Sequence, residues 1–171
     1  MASARILYLK LIVFKKGRCV NRDAVMREVQ MSNFGHHAMH SVPQYRRVRT
    51  PRMNKILIAD DASFMRLMIC QILARKGLTN VVEVENGRQA VECFKSDQPD
   101  LTFMDITMPE LDGLAALAEI LEINPSAKVI MCSAITHESV VQDALKRGAV
   151  DFIVKPFRPD ELLLAVSKYL S

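Results

Sequence analysis

The Asp60–Asp61 pair, Asp105, Ser133 and Lys155 share one placement: each comes directly after a short apolar run, namely KILIA, LTFM, KVIMC and DFIV. If those runs are strands of one parallel sheet, these side chains gather along one of its edges. Three carboxylates brought together repel and raise one another's pKa unless a cation lies between them. A hard divalent ion such as Mg²⁺ answers the problem, because it takes about six oxygen ligands, commonly uses only one or two protein carboxylates, and leaves positions for water and phosphate. Lys155 adds a cation and Ser133 a hydroxyl, the groups that neutralise and orient the equatorial oxygens of a transferred phosphoryl group. The chemistry these residues suit is phosphoryl transfer, with Asp105 as the reactive carboxylate.

Each residue also has an ordinary reading. Asp60 or Asp61 suits an N-cap on the helix that follows, but capping uses one aspartate and not two. Asp105 as a solvated loop acid fits poorly with the apolar strand it ends. Lys155 as a plain ion-pair partner and Ser133 as a turn residue are the remaining alternatives. A cis Lys155–Pro156 bond, a minority state for X-Pro, would aim the lysine inward.

From Met53 onward, short β-branched runs alternate with amphipathic stretches, the signature of repeated βα units. The pattern predicts strands at about 55–59, 81–85, 101–104, 128–132 and 151–154, and helices at about 63–76, 87–96, 111–123, 138–147 and 159–170. Three of the strands are almost continuously apolar, as expected when helices cover both faces of a parallel sheet. Gly77 and Gly148 stand where helices should stop, Pro125 follows the third helix, and Asp112, Ser139 and Asp160 stand where caps or first-turn acids are favoured. In the first helix Phe64, Leu67, Met68, Ile72 and Leu73 recur at helical spacing and are expected to form a core stripe. Strict alternation of five strands and five helices implies an open, doubly wound α/β sheet, with ligands outside the carboxyl ends of the strands at the topological switch point.

The chain has 171 residues and a net charge of +4, but the charge is uneven. Residues 1–52 hold 11 Lys/Arg against 2 Asp/Glu, net +9, whereas residues 53–171 hold 12 against 17, net −5. The domain is therefore acidic, and the chain's basic balance belongs to its leader. The apolar run Ile6–Phe14, interrupted by Lys10, is too short to span a bilayer and lacks a signal-peptide cleavage pattern. His36, His37 and His40 are weak evidence for a metal site, and Arg46, Arg47, Arg49 and Arg52, with no aromatic stacking platform, weak evidence for nucleic acid. Residues 1–52 are expected to be a disordered leader, arising from an upstream start assignment with Met53 as the alternative start. Cys19, Cys70, Cys93 and Cys132 lie far apart with no C-x-x-C pair, and reduced thiols in a cytoplasm are the expectation.

The segments KILIADDASFMR, MDITMPELDG, VIMCSA and DFIVKPF, in this order and spacing, resemble the response-regulator receiver domain, and within it the stand-alone chemotaxis regulators of Gram-positive type. The resemblance covers residues 53–171. It implies a flavodoxin-like fold with strand order 2-1-3-4-5. It makes Asp105 the phosphoacceptor, places Mg²⁺ on Asp60, Asp61, Asp105 and the carbonyl of Thr107, and gives Lys155 and Ser133 contacts to the phosphoryl group. Ser133 and Phe152 become the switch pair, the ring turning inward when phosphate draws the hydroxyl. Many relatives carry Thr and Tyr at these two positions, so the phenol is missing here. The implied partners are a sensor histidine kinase, the chemotaxis kinase CheA, then the flagellar motor switch proteins, and a phosphatase; neither nucleic acid nor membrane is among them. The implied form is a monomeric phosphoacceptor and not an enzyme, although it assists its own phosphoryl transfer and slow self-dephosphorylation. Ile135, two residues after Ser133, is expected at the site mouth, limiting water access.

A phosphorelay intermediate handing phosphate to a histidine phosphotransfer protein is the alternative within the family. A phosphohydrolase of the haloacid-dehalogenase type would want D-x-D after the first strand, whereas here the reactive candidate follows the third and residue 107 is Thr. A flavin module is disfavoured by the acidic loop after the first strand, which repels phosphate. With the chain ending about one residue after its last helix, output is expected through protein contact and not DNA binding.

Overall fold

The computed structural model describes residues 54–170. The predicted leader, with Cys19, His36, His37, His40 and the Arg46–Arg52 cluster, lies outside them. Five strands alternate with five helices: β1 Ile56–Ala59, α1 Ser63–Ala74, β2 Val81–Val84, α2 Gly87–Asp97, β3 Leu101–Asp105, α3 Gly113–Ile123, β4 Val129–Ser133, α4 Glu138–Lys146, β5 Asp151–Val154 and α5 Pro159–Tyr169. All pairings are parallel and the order is β2-β1-β3-β4-β5. This is the doubly wound, flavodoxin-like fold that the sequence pattern and the family resemblance imply.

The strand sequences explain the order. β1, β3 and β4 are buried at every residue and occupy the middle, whereas β2 and β5 include exposed positions and form the edges. Alternate residues build two cores because successive strand side chains point to opposite faces. Leu57, Ala59, Met104 and Met131 join a cluster with Ala90, Phe94, Leu117 and Ile120 of α2 and α3, while Ile56, Ile58, Phe103 and Ile130 join Ile69, Leu73, Leu162 and Val166 of α1 and α5. Truncating a buried leucine such as Leu57 to alanine would cost about 2–5 kcal/mol, enough to threaten a domain of this size.

Three local expectations change. Phe64 and Leu67, placed in the core stripe by their spacing, are 71% and 54% exposed. The buried face of α1 is instead Arg66, Ile69, Ile72 and Leu73. Each α-helical residue turns about 100° from the last, so two apolar sets lie on adjacent faces and periodicity alone does not choose between them. α3 begins at Gly113 and not at 111, because the Asp112 carboxylate accepts the Ala115 amide at 2.8 Å and sets the cap. Ser139 lies inside α4, whose N-cap is His137.

Candidate functional site

The strand register assembles the site. Ala59 pairs with Met104 across β1 and β3, so Asp60 and Asp105 leave the sheet side by side at its switch point. Asp105 pairs with Cys132 and Ser133 with Val154, which brings Ser133 and then Lys155 to the same edge. The Lys155 amide donates to the Ser133 carbonyl at 2.8 Å, and the Lys155–Pro156 bond is cis, as the sequence suggested. Lys155 Nζ reaches Asp60 Oδ2 at 2.6 Å and Asp105 Oδ2 at 3.1 Å. One ammonium thus spans the ends of β1 and β3.

Asp60 and Asp105 are buried and Asp61 is exposed. Carboxylate oxygens of all three lie within 4.8 Å of one another. Neither Asp60 nor Asp61 is the N-cap of α1. That position is Ala62, which offers no side-chain bond, while Asp60 Oδ1 accepts the Ala62 amide at 2.9 Å. Burial lifts the Asp105 carboxyl above its ordinary pKa; Lys155 pulls it back, Asp60 pushes it further up, and the Ile106 amide, donating at 2.8 Å, lowers it. Burial works to lower the Lys155 pKa, but its bonds and proximity to Asp60 and Asp105 outweigh that and the net shift is upward. The Cys132 thiol beneath them is pushed by burial up to about 12, so it stays protonated and inert.

Ser133 is buried, and its hydroxyl accepts the Ile135 amide at 3.1 Å. Thr107 is exposed two residues beyond Asp105. Phe152, three residues before Lys155 on β5, is half-buried and packs against the α2–α3 side of the sheet, as does Ile135. α3 begins against the end of β3: a Cβ on Gly113 would overlap the Asp105 carbonyl oxygen, so only glycine lets the helix start there.

Sequence reasoning passed over two features of the surroundings. Arg66 is a buried arginine at i, i+3 and i+7 with Ile69 and Leu73, and a cation on the apolar face of a helix was the available signal. The loop after β2 braces the loop after β3. Asn86 Nδ2 donates to Glu110 Oε1 at 3.0 Å and the Gly87 amide to the Leu111 carbonyl at 3.2 Å, contacts that no sequence pattern announces.

The response regulator receiver domain family matches residues 56–167. The chain belongs to that family. Receiver domains are phosphoacceptor signalling domains that bind Mg²⁺ at an acidic pocket, and the three clustered aspartates supply the hard oxygen donors that ion prefers. The chain is 55% identical to the chemotaxis protein CheY of Bacillus subtilis, across 69% of this chain and 98% of that one. It is 48% identical to the CheY of Thermotoga maritima, across 67% and 95%. Among solved structures, the CheX–CheY–BeF3–Mg²⁺ complex of Borrelia burgdorferi aligns with a TM-score of 0.66 and 36% identity, across 69% of this chain and 90% of that one. No helix among the described residues is long and apolar enough to cross a membrane.

Proposed function

We propose that the receiver domain, residues 53–171, accepts a phosphoryl group on Asp105 from a chemotaxis histidine kinase of the CheA type and, once phosphorylated, signals by protein contact to the flagellar motor switch. The observation that carries the reading is Lys155 Nζ held between Asp60 at 2.6 Å and Asp105 at 3.1 Å, with a third carboxylate beside them. The chemotaxis assignment is supported by CheY relatives matched over nearly their whole length.

In the transfer, an Asp105 oxygen attacks phosphorus, the bond to the donor histidine nitrogen breaks, and the imidazole leaves. Asp60, Asp61, Asp105 and the Thr107 carbonyl would hold Mg²⁺, which when bound neutralises the phosphoryl oxygens. Lys155 stays charged because of its acidic neighbours and is placed to follow the transferred oxygens. Ser133 releases the Ile135 amide to bond the phosphoryl group, and the Phe152 ring fills the space vacated. The face of α4, β5 and α5 changes with it. A phosphatase partner is supported by the CheX complex of the Borrelia relative. We place the protein in the cytoplasm as a monomer.

Incubation with a small phosphodonor and Mg²⁺ tests the reading. Wild type gains an acid-stable, base-labile phosphate and Asp105→Asn gains none; equal labelling of both would defeat the assignment. A deletion strain that swims with normal bias and chemotaxis would defeat the motor assignment.

A further inference from the structure

Arg66 is 5% exposed on the inner face of α1, and a guanidinium is rarely buried unless its donors are used. Its Nη1 donates to the backbone carbonyl of Asp60 at 2.7 Å and to that of Asp61 at 3.3 Å. Its Nη2 donates to Glu85 Oε1 at 2.9 Å, and its Nε lies 3.7 Å from Glu83 Oε2. One planar group therefore grips the main chain of both acidic residues that leave β1 and anchors it to glutamates on β2 and just beyond. These bonds go to the backbone of the acidic pair and not to its carboxylates.

We propose that Arg66 is a positioning residue that fixes the backbone of Asp60 and Asp61 and so sets the Mg²⁺ affinity of the pocket, an inference that rests on reading the aspartate cluster as the Mg²⁺ site. Mg²⁺ demands near-ideal octahedral geometry, so a pair of donor residues free to shift is a poor host. The other fastenings of the loop between β1 and α1 act on the Asp60 carboxylate and amide and not on its carbonyl: Oδ1 accepts the Ala62 amide at 2.9 Å and Oδ2 meets Lys155 Nζ at 2.6 Å. Its cap residue Ala62 makes no side-chain bond, and the Asp60 amide holds the Val84 carbonyl at 3.2 Å on one side only. Arg66 supplies the hold on the carbonyl side. Glu85 fixes the guanidinium in turn by its 2.9 Å bond from an exposed position, while Glu83 adds charge at 3.7 Å and leaves the buried Nε without a hydrogen bond. Lysine cannot replace the fork, because its single nitrogen cannot hold two carbonyls and a carboxylate in one plane.

Calorimetric titration of Mg²⁺ into the full chain, wild type against Arg66→Lys and Glu85→Gln, tests the proposal. Arg66→Lys keeps the charge and most of the stem. It is expected to weaken Mg²⁺ binding about tenfold or more, the range seen when residues behind metal ligands are changed, and Glu85→Gln about threefold. The Mg²⁺ concentration giving half-maximal phosphorylation by a small phosphodonor should rise by the same factor, while the rate at saturating Mg²⁺ returns to within about twofold of wild type. A general loss of packing would lower both. Mg²⁺ affinity within about twofold of wild type in folded Arg66→Lys overturns the proposal, as does a lowered saturating rate with unchanged affinity. If Arg66→Lys fails to fold, Glu85→Gln decides, and unchanged affinity there also overturns it. A wild-type chain that binds no Mg²⁺ overturns the pocket reading itself, a result distinct from equal binding by wild type and variant.

Discussion

The amino and carboxyl edges of the sheet both carry charged residues and settle them differently. At the amino edge Lys55 and Lys128 each bond an acid or carbonyl of their own, through the main chain or the ammonium. The Lys55 amide donates to Asp100 at 2.8 Å, Lys55 Nζ to the Asp97 carbonyl at 3.2 Å, and Lys128 Nζ to the Tyr169 carbonyl at 2.7 Å. At the carboxyl edge the buried Asp60 and Asp105 share the single ammonium of Lys155, and the exposed Asp61 lies beside them. Folding alone would not favour such a surplus of buried negative charge. The difference separates polar groups that finish a fold from polar groups held ready for a ligand.

Replacing the cations breaks the comparison most strongly. Lys155→Ala should slow phosphorylation by a small phosphodonor about 100-fold or more, since a fixed donor at developing charge is lost. Lys55→Ala at the opposite edge should leave that rate unchanged and cost at most about 1 kcal/mol in urea unfolding. Ile135→Glu should shorten the phosphoryl half-life several-fold, measured by loss of label after the donor is removed, because it admits water to the mouth. An unchanged half-life would remove Ile135 from the site.

The carboxylates themselves give a smaller effect with a definite sign. Asp105 has its folded pKa raised, chiefly by burial, so its contribution to stability is fully present below the unfolded pKa and is lost as pH rises through the folded one. Asp105→Asn in EDTA should therefore melt a few degrees higher than wild type at neutral pH, about what 1 kcal/mol does in a domain of this size, with the gap closing on acidification. The smallest effect sharpens the contrast: Asp100→Ala removes the bond to the Lys55 amide, costs about 1 kcal/mol, and leaves phosphorylation untouched.

Much of this was legible in the sequence because strand ends are punctuated by residue type. The apolar run LTFM stops at Asp105 and DFIV at Lys155, so a parallel sheet forces these side chains to one edge before any coordinate is known. Asp112 read as a cap and is one. What failed depended on rotation about a helix axis. Phe64 and Leu67 have the spacing of core residues, yet the face that turns inward carries Arg66. Burying that arginine becomes favourable only when the Asp60 carbonyl and Glu85 lie within reach, and these are tertiary facts.

Gly113 has a consequence for how far this sequence can wander. In a saturation library at that position, selection for phosphate incorporation should return one letter, because the smallest side chain already overlaps the carbonyl of Asp105. Gly77 is the useful counterpart: its φ is +74° with open space around it, so asparagine should survive there. Two glycines in one domain thus differ in what they forbid, one a shape and the other a volume, and only the second prohibition bears on Asp105.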